Sequence, residues 1–174
     1  LETMLRGICK KENFLDLFEN FILYDHSNGH TAKILARNHQ YLGVNEAMKA
    51  YAARKLNDGK LGVFWHTQGS GKSYSMVLFA QKVRRKFAGS PTFVILTDRE
   101  ELNTQISDTF ENCGLLGKTK ATQFIATSGD DLVQKLKGNP SFIFTLIQKF
   151  NEPNAEPIYP NHDIIIMSDE AHRS

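Results

Sequence analysis

The sequence predicts an α/β fold in which a parallel sheet is flanked by helices, with a small helical extension ahead of it. Three observations carry this reading. From Leu61 onward, short apolar runs rich in β-branched and aromatic residues alternate with helical segments, which is the grammar of β-α-β units. Most of those runs are apolar at nearly every position, as strands covered on both faces are. Upstream of residue 60, apolar positions recur at helical spacing instead.

In chain order, Phe14, Leu15, Leu17, Phe18, Phe21 and Ile22 predict a helix over 12–24. Ala47, Met48, Tyr51, Ala52 and Leu56 predict a second over 40–57, with a polar loop around Asn28 and Gly29 between them. Strands are expected at 61–65, 92–97, 123–126, 142–146 and 164–167. Asp98 with Glu101, and Ser128 with Asp131, have the spacing of capping boxes. Residues 151–160 hold three prolines and read as a surface loop. The chain divides into a helical extension over 1–58 and an α/β body over 59–174.

At 174 residues and 41% hydrophobic, the chain is sized for one core. Its net charge of +2 points neither to nucleic acid nor to a membrane. No run approaches the roughly 18 apolar residues of a membrane helix, and no signal-peptide pattern opens the chain, so a cytoplasmic location is expected. Cys9 and Cys113 lack neighbours at zinc spacing and read as reduced, core-type thiols.

The first expected strand leads into His66-Thr67-Gln68-Gly69-Ser70-Gly71-Lys72-Ser73, and Met76, Val77, Phe79, Ala80 and Val83 then mark a helix. This is a phosphate-binding loop between a strand and a helix. Such a loop cradles a triphosphate with backbone amides at a helix N-terminus, and glycines permit the close approach. Thr67 to Ser73 form the expected cradle. Lys72 would place its charge between the β- and γ-phosphates, and Ser73 would ligate a magnesium ion. His66 stands where the standard pattern has glycine. A Gly/Ser turn that binds nothing is the bland alternative. The last apolar run delivers Asp169-Glu170-Ala171-His172 at its carboxyl end, where open α/β sheets bind ligands. Asp169 would hold Mg²⁺, and Glu170 would orient and deprotonate the attacking water. His172 would couple nucleotide state to the rest of a motor. Lys72, Asp169 and Glu170 are the catalytic candidates, and ATP with Mg²⁺ the cofactors.

Together these features resemble the first RecA-like domain of superfamily 2 helicases and translocases. Residues 64–73 (FWHTQGSGKS) resemble the first motif of the motor subunit of type I restriction enzymes. Residues 96–102 (LTDREEL) and 144–150 (FTLIQKF) resemble its next two motifs. Arg37-Asn38-His39-Gln40-Tyr41 resembles the upstream element in which a glutamine reads adenine. The resemblance runs from about Phe14 onward. It implies an ATP-driven pull on duplex DNA before cleavage by a separate nuclease domain, with methyltransferase and specificity subunits as partners and no membrane. It also implies that a second RecA-like domain with an arginine finger completes the ATPase, so the 174 residues alone should hardly turn over ATP. A superfamily 2 DNA or RNA helicase unrelated to restriction is the alternative enzyme, and a degenerate nucleotide switch the non-enzymatic one.

Gln40 carries both a donor and an acceptor for the edge of adenine, and Arg37 would stack on the base or contact phosphate. Phe21 and Tyr24 lie where related motors place an aromatic on adenine, but a stripe of this kind reads better as core. Thr97, Asp98 and Arg99, with Thr145, Gln148 and Lys149, resemble motifs that grip DNA phosphates. Strand ends also carry polar residues simply to cap helices. The basic run Lys82, Arg84, Arg85, Lys86 reads as a solvated helix end, and His26, His30, His39 and His162 as structural.

Overall fold

The computed structural model describes residues 7–27, 29–65, 67, 69–150 and 162–169. They form two compact units, Leu1–Lys86 and Phe87–Ser174.

In the first unit, helix α1 (Lys11–Asn20) ends earlier than the apolar stripe predicts. The chain then turns into an antiparallel hairpin, β1 (Ile22–Asp25) with β2 (Ala32–Leu35), in the register Ile22 to Leu35 and Asp25 to Ala32. The reason lies in a two-residue period hidden within the helical one. Leu23 and Asp25 are buried while Tyr24 between them is exposed, as the two faces of a strand require. Asp25 closes the turn by accepting the Ser27 amide at 2.8 Å. Phe21 joins the core as expected, whereas Tyr24 does not.

Helix α2 (Asn38–Ala52) buries Gln40, Val44, Met48 and Tyr51 along one stripe. It stops before Leu56, which is left exposed at the end of a short 3₁₀ turn at Arg54–Leu56. Helix α3 (Lys72–Lys86) packs against it, with Tyr51 and Phe79 meeting edge to face. Lys82 corrects the reading of a solvated basic run. Its side chain is buried against the Phe21 ring, and its ammonium is held by both Asp16 oxygens and by Asn45. Burying an ammonium is tolerable only with such partners. Arg85 and Lys86, further along, reach Glu19 at the surface.

The expected strand at 61–65 does not form among the described residues. A strand exists through its ladder, and no ladder is made here. Val63 and Trp65 are exposed, while Phe64 lies against α2 in the space left by the missing side chain of Gly43.

The second unit is built on a parallel sheet. Strand β3 (Thr92–Thr97) lies between β4 (Phe142–Leu146) and β5 (Ile164–Ser168). The registers pair Val94 with Ile143 and with Ile166. Successive residues of β3 and β4 serve opposite faces. Phe93, Phe142 and Phe144 share one face, where Phe110 of helix α4 (Glu100–Asn112) contacts Phe142 and Phe144 edge-on at 5.3 Å. Val94 and Ile143 share the other, packed with Leu132 and Leu136 of helix α5 (Gly129–Lys137). Both faces of β3 and β4 are therefore covered by helices, which is why these two strands read as unbroken apolar runs, whereas Ile164 and Ile166 of β5 are exposed among the described residues.

The expected strand at 123–126 is reduced to one bridge. A 3₁₀ turn at Ala121–Gln123 leaves only the Phe124 carbonyl and the Ala126 amide to bond Phe144. Ser128 caps α5 as expected, accepting the Asp131 amide while Asp131 accepts that of Thr127. The Asp98–Glu101 box does not form. Arg99 occupies the cap of α4 without a side-chain bond, and Asp98 lies 3.5 Å from its guanidinium instead. Cys9 is exposed rather than core-type. No helix among the described residues is long and apolar enough to cross a membrane.

Candidate nucleotide-binding site

In the first unit, the candidate phosphate loop closes through the Ser70 amide, which donates to the Thr67 carbonyl at 3.2 Å. Gly69 and Gly71 both have left-handed backbones, with φ of 76° and 85°, and helix α3 starts at Lys72 immediately after them. Only glycine takes this conformation without strain, so the two glycines set the turn that brings the chain into the helix. Gly71 has a second reason to lack a side chain: a Cβ there would lie 3.0 Å from the Gln40 amide nitrogen. Lys72 and Ser73 are half-buried on the first turn of α3. His66 and Gln68 lie outside the described residues.

Gln40 reaches this loop across 31 residues of sequence. Its Nε2 donates to the Gly71 carbonyl at 3.0 Å, and its Oε1 accepts the Arg37 amide at 2.9 Å. Each end of the amide therefore has one bond inside the protein and capacity for one more. Arg37 is exposed at the start of α2. Two further ties escape sequence reasoning. His39 Nε2 lies 3.1 Å from the Ser70 carbonyl, and the Tyr74 hydroxyl on α3 donates to Asp25 of the hairpin at 2.5 Å. Burial alone would raise the Asp25 carboxyl, but the bonds from Tyr74 and Ser27 hold it below the usual carboxylate range. His39 had a signal in its position beside Gln40. Tyr74 and Asp25, 49 residues apart, had none.

These residues fit a magnesium-bound triphosphate. The Ser70 hydroxyl is buried with no hydrogen-bond partner among the described residues, a donor of the kind a phosphate oxygen satisfies. The helix start supplies amides and a favourable dipole, Lys72 a cation, and Ser73 a hydroxyl of the type that ligates Mg²⁺.

In the second unit, the carboxyl ends of the three parallel strands gather the remaining candidates at one edge. Asp169 extends β5, its amide donating to the Leu96 carbonyl of β3 at 2.9 Å. Glu170 and His172 lie outside the described residues. Thr97 is buried, its hydroxyl donating to the Arg99 carbonyl, and Thr145 is buried with its hydroxyl unpartnered among the described residues. Gln148 donates to the Asp98 carbonyl at 3.1 Å, joining the two candidate DNA motifs, and Lys149 donates to the Ala126 carbonyl. Arg99 and Gln148 are exposed, Asp98 and Lys149 half-buried.

Residues 39–174 match the family described as SWI2/SNF2 ATPase. The chain belongs to this family. Its fold is accordingly the RecA-like α/β class, and as a SWI2/SNF2 ATPase domain it is a nucleotide-using hydrolase domain. Over its whole length it is 39% identical to the type I restriction enzyme HindI endonuclease subunit of Haemophilus influenzae. It is 34% identical to the putative type I restriction enzyme MjaIXP endonuclease subunit of Methanocaldococcus jannaschii, again over its whole length. The chain spans 17% of the length of each of these relatives.

Proposed function

We propose that this SWI2/SNF2 ATPase domain is the ATP-binding part of the motor of a type I restriction endonuclease subunit, which moves duplex DNA before a separate nuclease domain cuts it. The observation that carries the reading is the phosphate loop. Two left-handed glycines deliver Lys72 to a helix start beside a buried hydroxyl that has no hydrogen-bond partner among the described residues. Its whole-length similarity to endonuclease subunits of type I restriction enzymes supports the restriction setting.

In this proposal residues 1–58 carry the adenine-contacting element, Arg37 and Gln40, and residues 59–174 the ATP-binding body. The amides of residues 67–73 and the Lys72 ammonium would hold the phosphates, and Ser73 and Asp169 would hold Mg²⁺. Glu170 positions and deprotonates the attacking water. Bound Mg-ATP supplies a phosphoanhydride bond whose hydrolysis drives the motor. His172 transmits the nucleotide state. Thr97, Asp98, Arg99, Thr145, Gln148 and Lys149 grip DNA phosphates, and partner methyltransferase and specificity subunits select the site.

Lys72→Ala tests the reading. Equilibrium binding of Mg-ATP to the 174-residue chain is expected to fall at least tenfold, because the ammonium is the main point charge offered to the β- and γ-phosphates. Unchanged binding would remove the assignment.

A further inference from the structure

We propose that His39 is a positioning residue of the phosphate loop, acting with Gln40 to aim the amides that receive the nucleotide's phosphates. The inference rests on the nucleotide-binding reading and adds to it a residue with no role so far. His39 and Gln40 are consecutive in the first turn of α2, and they hold consecutive carbonyls of the loop. The His39 ring nitrogen Nε2 lies 3.1 Å from the Ser70 oxygen, and the Gln40 Nε2 lies 3.0 Å from the Gly71 oxygen.

The consequence follows from the peptide bond itself. In a trans peptide the carbonyl of one residue and the amide of the next point in opposite directions across one rigid plane. Fixing the Ser70 carbonyl therefore fixes the direction of the Gly71 amide, and fixing the Gly71 carbonyl fixes that of Lys72. Both amides then face away from α2, on the side where an anion is received. Glycine at 69 and 71 makes the loop easy to bend but also leaves it many conformations to lose. The Gly71 carbonyl is also held by the Ser75 amide at 3.1 Å and the Ser75 hydroxyl at 3.3 Å within α3, so His39 on the Ser70 carbonyl extends that restraint back into the loop before the ligand arrives, the general route by which preorganisation raises affinity.

The acceptor also dictates the state of the ring. A carbonyl has no proton to give, so His39 must carry a hydrogen on Nε2. Neutral histidine can place its hydrogen on either nitrogen, so this is a specific requirement.

The test uses the 174-residue chain with three probes: ADP, inorganic pyrophosphate and adenosine. Replacing His39→Phe keeps the ring's bulk and removes the donor, while His39→Gln returns an amide donor at similar reach. His39→Phe should weaken ADP and pyrophosphate by the same factor, about fivefold to tenfold for one lost hydrogen bond. Adenosine binding should stay unchanged, and His39→Gln should recover most of the loss. Equal weakening of all three probes, or none, would overturn the proposal. In the unsubstituted protein, ring ¹⁵N shifts should show His39 protonated at Nε2, and a neutral ring protonated only at Nδ1 would overturn it without any variant. If the unsubstituted chain binds neither ADP nor pyrophosphate, the nucleotide reading fails and this inference with it. If it binds both and His39→Phe binds them equally well, the inference alone fails.

Discussion

The Lys82 ammonium sits 2.5 Å from one carboxylate oxygen of Asp16 and 2.7 Å from the other, with only 8% of the lysine side chain open to solvent. This pair joins α1 to α3, and Asn45 brings α2 into the same cluster. Lys82→Met removes the cation and leaves the carboxylate among groups arranged for a charge. The expected cost is about 3 kcal/mol, the low end for a broken buried pair because Asp16 keeps some contact with water. Urea denaturation checks it, and a midpoint shift within experimental error would show the pair to be structurally idle.

Acid should unfold the first unit through Asp16 and Asp25. Burial alone would raise both carboxyls. For Asp16 the bonds from Lys82 and Asn20 reverse this, and for Asp25 those from Tyr74 and Ser27 do. Both folded values lie below the unfolded ones, so the stability they contribute is present above the ordinary carboxylate value of about 4 and is lost as pH falls through the folded values. Stability measured from pH 7 to 2 should decline mainly below about pH 4, and Asp16→Asn and Asp25→Asn should each flatten that decline. Declines of identical steepness in all three proteins would contradict the assignment.

Gly71→Ala tests the close approach of the loop to α2. The new Cβ would meet the Gln40 amide at 3.0 Å and would be held in a left-handed backbone. The expected destabilisation is about 1–2 kcal/mol, with weakened ADP binding, because the Gln40 grip must loosen to admit the methyl group. Thermal unfolding and nucleotide titration read the two effects separately, and an alanine variant as stable as the parent would show that the loop is not constrained here.

Arg99 is an exposed cation at the carboxyl end of β3. If it neutralises one DNA phosphate, Arg99→Ala should weaken duplex binding for any sequence. It should also make the dependence of log affinity on log salt shallower by about one unit. An unchanged salt slope would place Arg99 away from the DNA.

The features legible in the sequence are those with local causes. The glycine turn and the helix start at Lys72 could be read because Gly-Lys-Ser sits between an apolar run and a helical stripe, and strands β3 and β4 because both their faces are covered. What escaped reading depended on residues far apart. Lys82 looks solvated beside Arg84, Arg85 and Lys86, since its partner Asp16 lies 66 residues upstream. Ile22 and Leu23 continue a helical stripe as readily as they begin a strand, and only pairing with residues near Leu35 decides between the two. The run at 61–65 has a strand's composition but makes no ladder, and composition cannot supply one. His39 read as structural, because nothing local shows that its ring reaches Ser70.

The proposed function requires Lys72 and Asp169 to serve a single metal-nucleotide complex. Titrating the ¹⁵N-labelled chain with Mn²⁺-ATP tests it directly, because the paramagnetic ion broadens only nearby amide resonances. The amides of residues 69–73 and of Ser168 and Asp169 are expected to broaden together, at the same ligand concentration, and Lys72→Ala is expected to abolish both effects. Broadening confined to the phosphate loop, with Ser168 and Asp169 unaffected at saturation, would contradict it.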